Sequence, residues 1–311
     1  MTRGRARVTV VGNAVVDVII TREGRFPQLG GAGLNLAMLL ALGGATTSLV
    51  AAIAADGAAR AVQRLAAEVG IELIKGGQSS ATSRAIVHLE GGAPSYEFAL
   101  SVYSPFDFSP PVMRSVAGSD LVVVNAFDYS AGSQVSSLRR LLDACNGWRV
   151  VDPNIRPGLL RDPGDAARSL RQLLPAIDIL KVSDEDLDHL GETAVQAERA
   201  FLSDGVRVLF LTRGAQGAVL HTAEGLRFQA PAQVRPSEMV DTVGAGDASL
   251  AALLLGAMAE RPDGPGSREA LGRLSWGSHL ERAMAAAAVA CRQRGGPAGP
   301  APDDEALSPA G

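Results

Sequence analysis

Between Val240 and Leu253 the chain reads Val-Asp-Thr-Val-Gly-Ala-Gly-Asp-Ala-Ser-Leu-Ala-Ala-Leu, a turn of small residues that opens directly into an apolar helix. The first amides of a helix have no acceptor within it and carry the positive end of its dipole, so they favour an anion in front of them. Asp247 stands at that helix start. A carboxylate beside an anion site is repelled by it unless a proton moves between the two. The pairing therefore suggests phosphoryl transfer with Asp247 as base, the backbone from Gly244 through Ala245 and Gly246 supplying positive potential without a charged side chain. Glycines at 244 and 246 let the main chain come close to a phosphate. A capped helix without chemistry would use the same residue types, because Asp caps helices and Gly fills turns. The rest of the chain has to decide between them.

Other candidates lie scattered along the sequence. Asp17 sits between Val16 and Val18-Ile19-Ile20. A carboxylate buried in such a neighbourhood needs partners, which a polyhydroxy ligand would provide; the alternative is an Asp that closes a turn. Asn35 at a helix start is a ligand contact or a cap. Arg156 could hold a phosphate or a carboxylate, or pair with an acid. Lys181 reads as a solvated or salt-bridged surface residue.

The elements that must position these groups alternate. Val8 to Val11 reads as a buried strand ending at Gly12-Asn13, and Leu36 to Leu42 as a helical run stopped by Gly43-Gly44. Strand-like segments at 48–54, 120–125, 149–152, 177–181 and 206–212 interleave with helical ones at 58–69, 135–144, 165–174 and 184–190. Two further strands are expected at 218–221 and 226–229, and buried helices at 248–259 and 279–293; the Pro- and Gly-rich tail from Gly295 reads as loop. This alternation predicts an α/β fold: a mainly parallel central sheet with helices on both faces. Ligands of such sheets sit at the carboxyl ends of the strands. Asn13, Asp17, Asn125, Asp152, Asn154, Arg156, Thr212 and Gly214 all lie just past strand ends.

The pattern changes between Ala81 and Leu100, where two β-rich runs flank Gly91-Gly92 and predict a hairpin. Tyr96, Phe98, Tyr103, Phe106 and Phe108 gather here, five of the thirteen aromatic residues of the chain. They either pack on the core or form a lid over a substrate.

Composition narrows the field. The chain has 311 residues, 47% of them hydrophobic, and a formal net charge of −4 without a long run of one sign. Neither a nucleic-acid partner nor a membrane surface is expected. No signal peptide fits, and the apolar stretches fall short of a membrane span, so the expected location is the cytoplasm. Cys145 and Cys291 lie far apart and read as core filler in a reducing compartment; the four histidines are scattered and build no zinc site. Neither a dinucleotide-binding G-x-G-x-x-G after the first strand nor a P-loop occurs.

With these pieces in order, the chain resembles the ribokinase (PfkB) family of carbohydrate kinases from about Val8 to Leu307. Gly12-Asn13-Ala14-Val15-Val16-Asp17 resembles the opening G-N/S-x-x-x-D segment, and Gly30-Gly31-Ala32-Gly33-Leu34-Asn35-Leu36-Ala37 the diglycine motif. Asp152-Pro153-Asn154-Ile155-Arg156 resembles the D-x-N-x-R strand end, and Lys181-Val182-Ser183-Asp184-Glu185-Asp186 the K-x-N-x-x-E segment. Thr212-Arg213-Gly214-Ala215-Gln216-Gly217 resembles the nucleotide-side turn, and Asp241-Thr242-Val243-Gly244-Ala245-Gly246-Asp247 the D-T-x-G-A-G-D signature.

The resemblance implies one ribokinase-like unit over residues 1–311, with a small β-lid formed by about 14–28 and 81–105 that in relatives often doubles as a homodimer surface. It implies a kinase that moves the γ-phosphate of ATP to a hydroxyl of a small sugar-like acceptor. Asp17, Gly31 and Asn35 would bind acceptor hydroxyls, with Asn13 and Arg156 on the same side. Asn154, Ser183 and Asp186 would lie near Mg²⁺ and the phosphates, and Thr212, Gly214 and Gly217 along the nucleotide. Asp241 and the carbonyl of Val243 stand where some relatives hold a monovalent cation such as K⁺.

The chain departs from the family pattern in three places. Ser183 and Asp186 stand where Asn and Glu are usual, Ser249 where Phe is frequent, and Ala32 where ribokinases proper often carry Lys, which points away from ribose. A nucleoside or an already phosphorylated sugar remains open as acceptor, as does a catalytically impaired sugar-binding regulator.

Overall fold

The computed structural model describes residues 4–88, 95–99, 105–156, 162–261 and 268–297. In chain order its strands are β1 (Arg7–Val11), β2 (Val15–Thr21), β3 (Gly24–Gly30), β4 (Thr46–Ile53), β5 (Glu72–Gln78), β6 (Arg84–His88), β7 (Ser95–Ala99), β8 (Leu121–Asn125), β9 (Trp148–Asp152), β10 (Ile179–Ser183), β11 (Val208–Thr212), β12 (Ala218–Thr222) and β13 (Arg227–Ala230). The helices are α1 (Ala32–Leu42), α2 (Gly57–Glu68), α3 (Pro110–Ala117), α4 (Gly132–Ala144), α5 (Pro163–Leu173), α6 (Asp184–Leu190), α7 (Ala194–Ser203), α8 (Ala245–Glu260) and α9 (Trp276–Cys291).

Nine strands form the main sheet in the order β13-β12-β11-β10-β9-β8-β1-β4-β5. Pairing is parallel from β5 through β11, and antiparallel only for β12 and β13 at one edge. The strands are apolar along their whole length because both faces are covered. Leu121, Val123, Val150, Ile179, Val208 and Phe210 pack on one face with α1, α2, α8 and α9. Their neighbours Val122, Val124, Val151, Leu180, Leu209 and Leu211 pack on the other with α3 to α7. The expected α/β architecture is thus present, with helices on both faces.

Side chains of a strand alternate between faces. Asn125 therefore continues the row of Leu121 and Val123, Asp152 follows Val150, and Lys181 follows Ile179. All three belong to the face that carries α1 and α8. Register adds the lateral order: Asn125 pairs with Asp152 in β9, and Ser183 with Thr212 in β11.

A second, four-stranded sheet runs β3-β2-β6-β7; β2 pairs antiparallel with β3 and parallel with β6, and β6 with β7 forms the expected hairpin. Residues 89–94 and 100–104, including Tyr103, lie outside the described residues, as do the side chains of Tyr96 and Phe98 and the tail beyond residue 297. Of the remaining aromatics, Phe106 stacks on Phe108 and Phe127 at 6.0 and 5.7 Å, and Phe127 meets Tyr129 edge-on at 5.5 Å. Phe127 and Tyr129 are core, and Phe106 and Phe108 pack half-buried against it. β5, α3 and α7 carry no expectation from the sequence. β5 is an edge strand with Lys75, Gly76 and Gly77 in its middle, and its glycines are there because Phe106 and Pro105 press on them.

The turn after β1 is fitted against the start of α1. A Cβ on Gly33 would stand 2.6 Å from the backbone N of Asn13 and from the carbonyl carbon of Gly12. Nothing in that contact is a flexible side chain. Gly33→Ala should therefore lower the unfolding free energy by about 1–3 kcal/mol in equilibrium denaturation. Gly132→Ala, where a Cβ meets nothing within 4 Å, serves as the control and should leave stability unchanged or slightly raised. Equal stability of the two variants would contradict the close approach.

Candidate active site

Helix α8 begins at Ala245 with Gly244 as its N-cap, in left-handed conformation at φ 76° and without a side-chain cap. Asp247 is the third residue of the helix and does not cap it. Its carboxylate instead faces outward across the strand ends: Asn35 Nδ2 donates to Oδ2 and Asn125 Nδ2 to Oδ1, both at 3.2 Å. The residue is only 8% exposed. In the first turn, the Ala245 amide donates to Thr242, while the amides of Gly246 and Asp247 have no acceptor among the described residues. The small-residue turn thus presents open backbone donors next to a buried carboxylate.

Lys181, read from the sequence as a surface residue, is 5% exposed. Its Nζ lies 3.2 Å from Asp152 Oδ1 and 4.0 Å from Asp186 Oδ2. A Cβ on Gly246 would stand 3.6 Å from the same Nζ, so the ammonium sits directly beside the start of α8. Strand periodicity is the signal that could have found it, since a Lys alternating with Ile179 in a sheet covered on both faces cannot point to water.

The diglycine segment serves Asp17. A Cβ on Gly30 would fall 1.9 Å from Asp17 Oδ2, and the Gly31 amide, held at φ 96°, donates to the Asp17 carboxylate. Only a glycine at 30 leaves room for that carboxylate. Asn13 is part of the frame: its Oδ1 accepts from Gly33 N at 3.2 Å and its carbonyl from Leu34 N at 3.0 Å, which closes the start of α1. A small open cleft adjoins it, bordered by Gly12, Ala14, Ser83 and Phe106.

Asp186 is turned inward. Its Oδ1 accepts from Ile155 N at 2.6 Å, and its Oδ2 from Ser183 N at 2.8 Å and Ser183 Oγ at 2.7 Å, while Ser183 Oγ caps α6 in return. Ser183 and Asp186 therefore tie the β10–α6 turn to the segment carrying Asn154, at φ 46°, and Arg156. Both carboxylate oxygens are committed, so Asp186 does not fit a direct metal contact. Asp241 is committed too: Oδ1 accepts from Val243 N at 2.5 Å and Oδ2 from Gly295 N at 2.6 Å. Of the two residues expected at a monovalent cation, Asp241 has each carboxylate oxygen on a main-chain amide, one of them that of Val243. Among the described residues no group of three or more His, Cys, Asp or Glu side chains is placed to hold a metal.

Thr212, Gly214 and Gly217 form the turn from β11 into β12, where a Cβ on Gly217 would collide with Ala230 O at 2.1 Å. The segment at Gly295 and Gly296, expected only as loop, closes the opposite side. Besides its bond to Asp241, it brings Gly296 so near Asn35 that a Cβ there would stand 2.9 Å from Nδ2. The paired glycines 295 and 296 were the available signal.

Five carboxylates, of Asp17, Asp152, Asp186, Asp241 and Asp247, meet here against the cations Lys181 and Arg156. Burial pushes Asp17 up to about 7, with the Gly31 amide opposing and Asp247 and Asp241 reinforcing. Burial likewise pushes Asp152 up to about 6 against Lys181. Asp247 is raised by burial, while Asn35, Lys181, Asn125 and Arg156 pull it back. Burial pulls Lys181 down, but Asp152, Asp186 and Asp247 outweigh it and hold the ammonium above its ordinary value.

A carboxyl raised in the folded chain takes up its proton near pH 7 there, whereas the unfolded chain waits until about pH 4, so stability rises as pH falls through that window. Denaturant midpoints of the ligand-free protein should therefore climb between about pH 8 and pH 5, and Asp17→Asn should flatten the climb. An identical slope in the variant would contradict a raised Asp17.

Comparison with known proteins follows this geometry. The family model for pfkB family carbohydrate kinases matches residues 5–304. A fructokinase of Klebsiella pneumoniae is 30% identical over 80% of this chain and 84% of its own length. Among solved structures, a fructokinase of Xylella fastidiosa with bound ATP superposes with a TM-score of 0.77 at 20% identity, covering 94% of both chains. A double-mutant fructokinase of Vibrio cholerae O395 with fructose, ADP and potassium bound gives 0.74 at 19%, covering 94% of this chain and 95% of that one. The two structures share the fold, and the family match spans nearly the whole sequence: this chain belongs to the pfkB family of carbohydrate kinases.

Proposed function

We propose that the protein transfers the γ-phosphoryl group of ATP to a hydroxyl of a small sugar or sugar-like acceptor, with fructose the first acceptor to offer. The observation that carries this reading is the buried Asp247 carboxylate beside the open amides of Gly246 and Asp247. In the step, the acceptor oxygen attacks the γ-phosphorus, its proton passes to Asp247, and the bond to the β-phosphate oxygen breaks to release ADP. The amides at the start of α8 meet the charge on the migrating group, and the Lys181 ammonium beside Gly246 adds to their potential. Asp247 has to be ionised to act, and the side-chain amides of Asn35 and Asn125 together with Lys181 and Arg156 favour that form against burial.

On the acceptor side, Asn35 Oδ1 is buried and has no partner among the described residues. A buried carbonyl oxygen without a donor is costly, and a sugar hydroxyl would satisfy it. Asp17, fixed by Gly31, offers a carboxylate to further hydroxyls, with Arg156 on the same side. The turn of Thr212, Gly214 and Gly217 would run along the nucleotide. Mg²⁺ would neutralise the phosphates it accompanies, and the surplus of carboxylates suits a divalent cation more than bare ATP; Asn154 stands at the strand end on that side, while Asp186 acts through the turn it ties together.

Asp247→Asn should leave ATP binding by calorimetry nearly unchanged and lower ADP release with the preferred acceptor by about a hundredfold or more. A variant that keeps most of its turnover removes Asp247 from the base role. Sugar and ATP binding without turnover in the unaltered protein would favour the regulator, the reading to which the inward-turned Asp186 lends weight.

A further inference from the structure

Asn125 ends β8 with 0% of its surface exposed. Its Nδ2 donates to Asp247 Oδ1 at 3.2 Å, and its Oδ1 accepts from Asn154 Nδ2 at 3.4 Å. The direction of this chain is dictated at one end. An ionised carboxylate can only accept, so Asn125 must turn its NH₂ toward Asp247 and its oxygen away, and the oxygen then needs the donor that Asn154 provides. Asn154 is in turn held by its neighbour, since Ile155 N is bound by Asp186. Asn35 meets the other oxygen of Asp247 but keeps an unpartnered Oδ1. The two amides on the base are therefore not equivalent: Asn125 is satisfied at both ends and fixed, whereas Asn35 is open to a ligand.

We propose that Asn125 is a positioning residue for the base: it holds Asp247 Oδ1 in place and stabilises the ionised carboxylate, leaving Oδ2 to exchange its Asn35 contact for the acceptor hydroxyl. This rests on the kinase reading above. The other ionisable groups that face Asp247 come from separate elements: Lys181 of β10, Asp152 and Arg156 at and beyond the end of β9, and Asp17 of β2. Substitution at 125 leaves each of these in place. No side chain without both an N–H donor and an acceptor can replace Asn125 in the chain from Asn154 to Asp247.

The test uses Asn125→Leu, which keeps the branching of Asn in a larger side chain, and Asn125→Asp, which keeps its volume; both lack its N–H donor to the carboxylate. The pH profile of kcat/KM is measured with fructose, or the best acceptor found, and MgATP. The acidic limb should move up by about one unit in Asn125→Leu and further in Asn125→Asp, where two carboxylates face each other. The rate near pH 6 should fall roughly tenfold and partly recover at alkaline pH, with KM for ATP unchanged. A purely structural role would lower the rate equally at every pH; acidic limbs identical to that of the unaltered protein in both variants overturn the proposal. A second arm needs no turnover. The ¹³C carboxyl titration of Asp247, identified through Asp247→Asn, should shift upward in Asn125→Leu, and an unmoved titration overturns the proposal. If the unaltered protein phosphorylates none of the sugars and nucleosides offered, the kinase reading fails and the titration alone decides the role of Asn125.

Discussion

Asp247 is a carboxylate removed from water, and the base role proposed for it requires that it stay charged; the groups around it favour that form. Burial alone would protonate it. Against burial stand an amide on each oxygen, from Asn35 and Asn125, the Lys181 ammonium, the Arg156 guanidinium and the positive end of α8. These groups come from α1, β8, β10, the segment after β9 and α8 itself. They converge because a parallel sheet aligns its strand ends and sends every second side chain to one face. Asn125, Asp152 and Lys181 all continue rows that begin with core residues on the α1–α8 face, so the site is the polar end of the hydrophobic core rather than a feature laid over it.

Close main-chain approaches make that convergence sterically possible. Gly30 yields space to Asp17, Gly12 and Gly33 meet across the start of α1, and Gly296 passes over Asn35. Each brings a polar group to a place where a Cβ would exclude it. The same logic explains Asp186. One methylene shorter than Glu, it accepts from Ile155 N, Ser183 N and Ser183 Oγ and is consumed there, which makes it a clamp on the Asn154–Arg156 segment.

Much of this was legible in the sequence because local chemistry carried it. The alternation of apolar strands and helices specified the layered fold, and the Val240–Leu253 segment specified a helix that opens on small residues. The family resemblance grouped Asp17, Gly31 and Asn35 on the acceptor side, and the structure sets Asp17 against Gly30 and Gly31. What escaped were facts of long range or of mixed signal. β5 is an edge strand interrupted by Lys75, Gly76 and Gly77, a composition that gives no strand period. α3 begins with Pro110-Pro111 and runs only eight residues, too short to show a helical period. Lys181 looked solvated because a charged residue usually is; its burial follows only once both faces of β10 are known to be covered. Asn125 was visible as a strand-end polar group, but its contact with a residue 122 positions away was not. The tail glycines, distant from every motif in sequence, have a role only through Asp241 and Asn35.

A structure of the protein with MgADP, aluminium fluoride and its preferred sugar would examine the central claim most directly, since the fluoride mimics the migrating phosphoryl group. The account predicts an Asp247 oxygen within about 2.6–3.2 Å of the attacking hydroxyl and the Gly246 and Asp247 amides pointing at the equatorial fluorides. A hydroxyl bound away from Asp247, or a mimic held with those amides facing elsewhere, would contradict it.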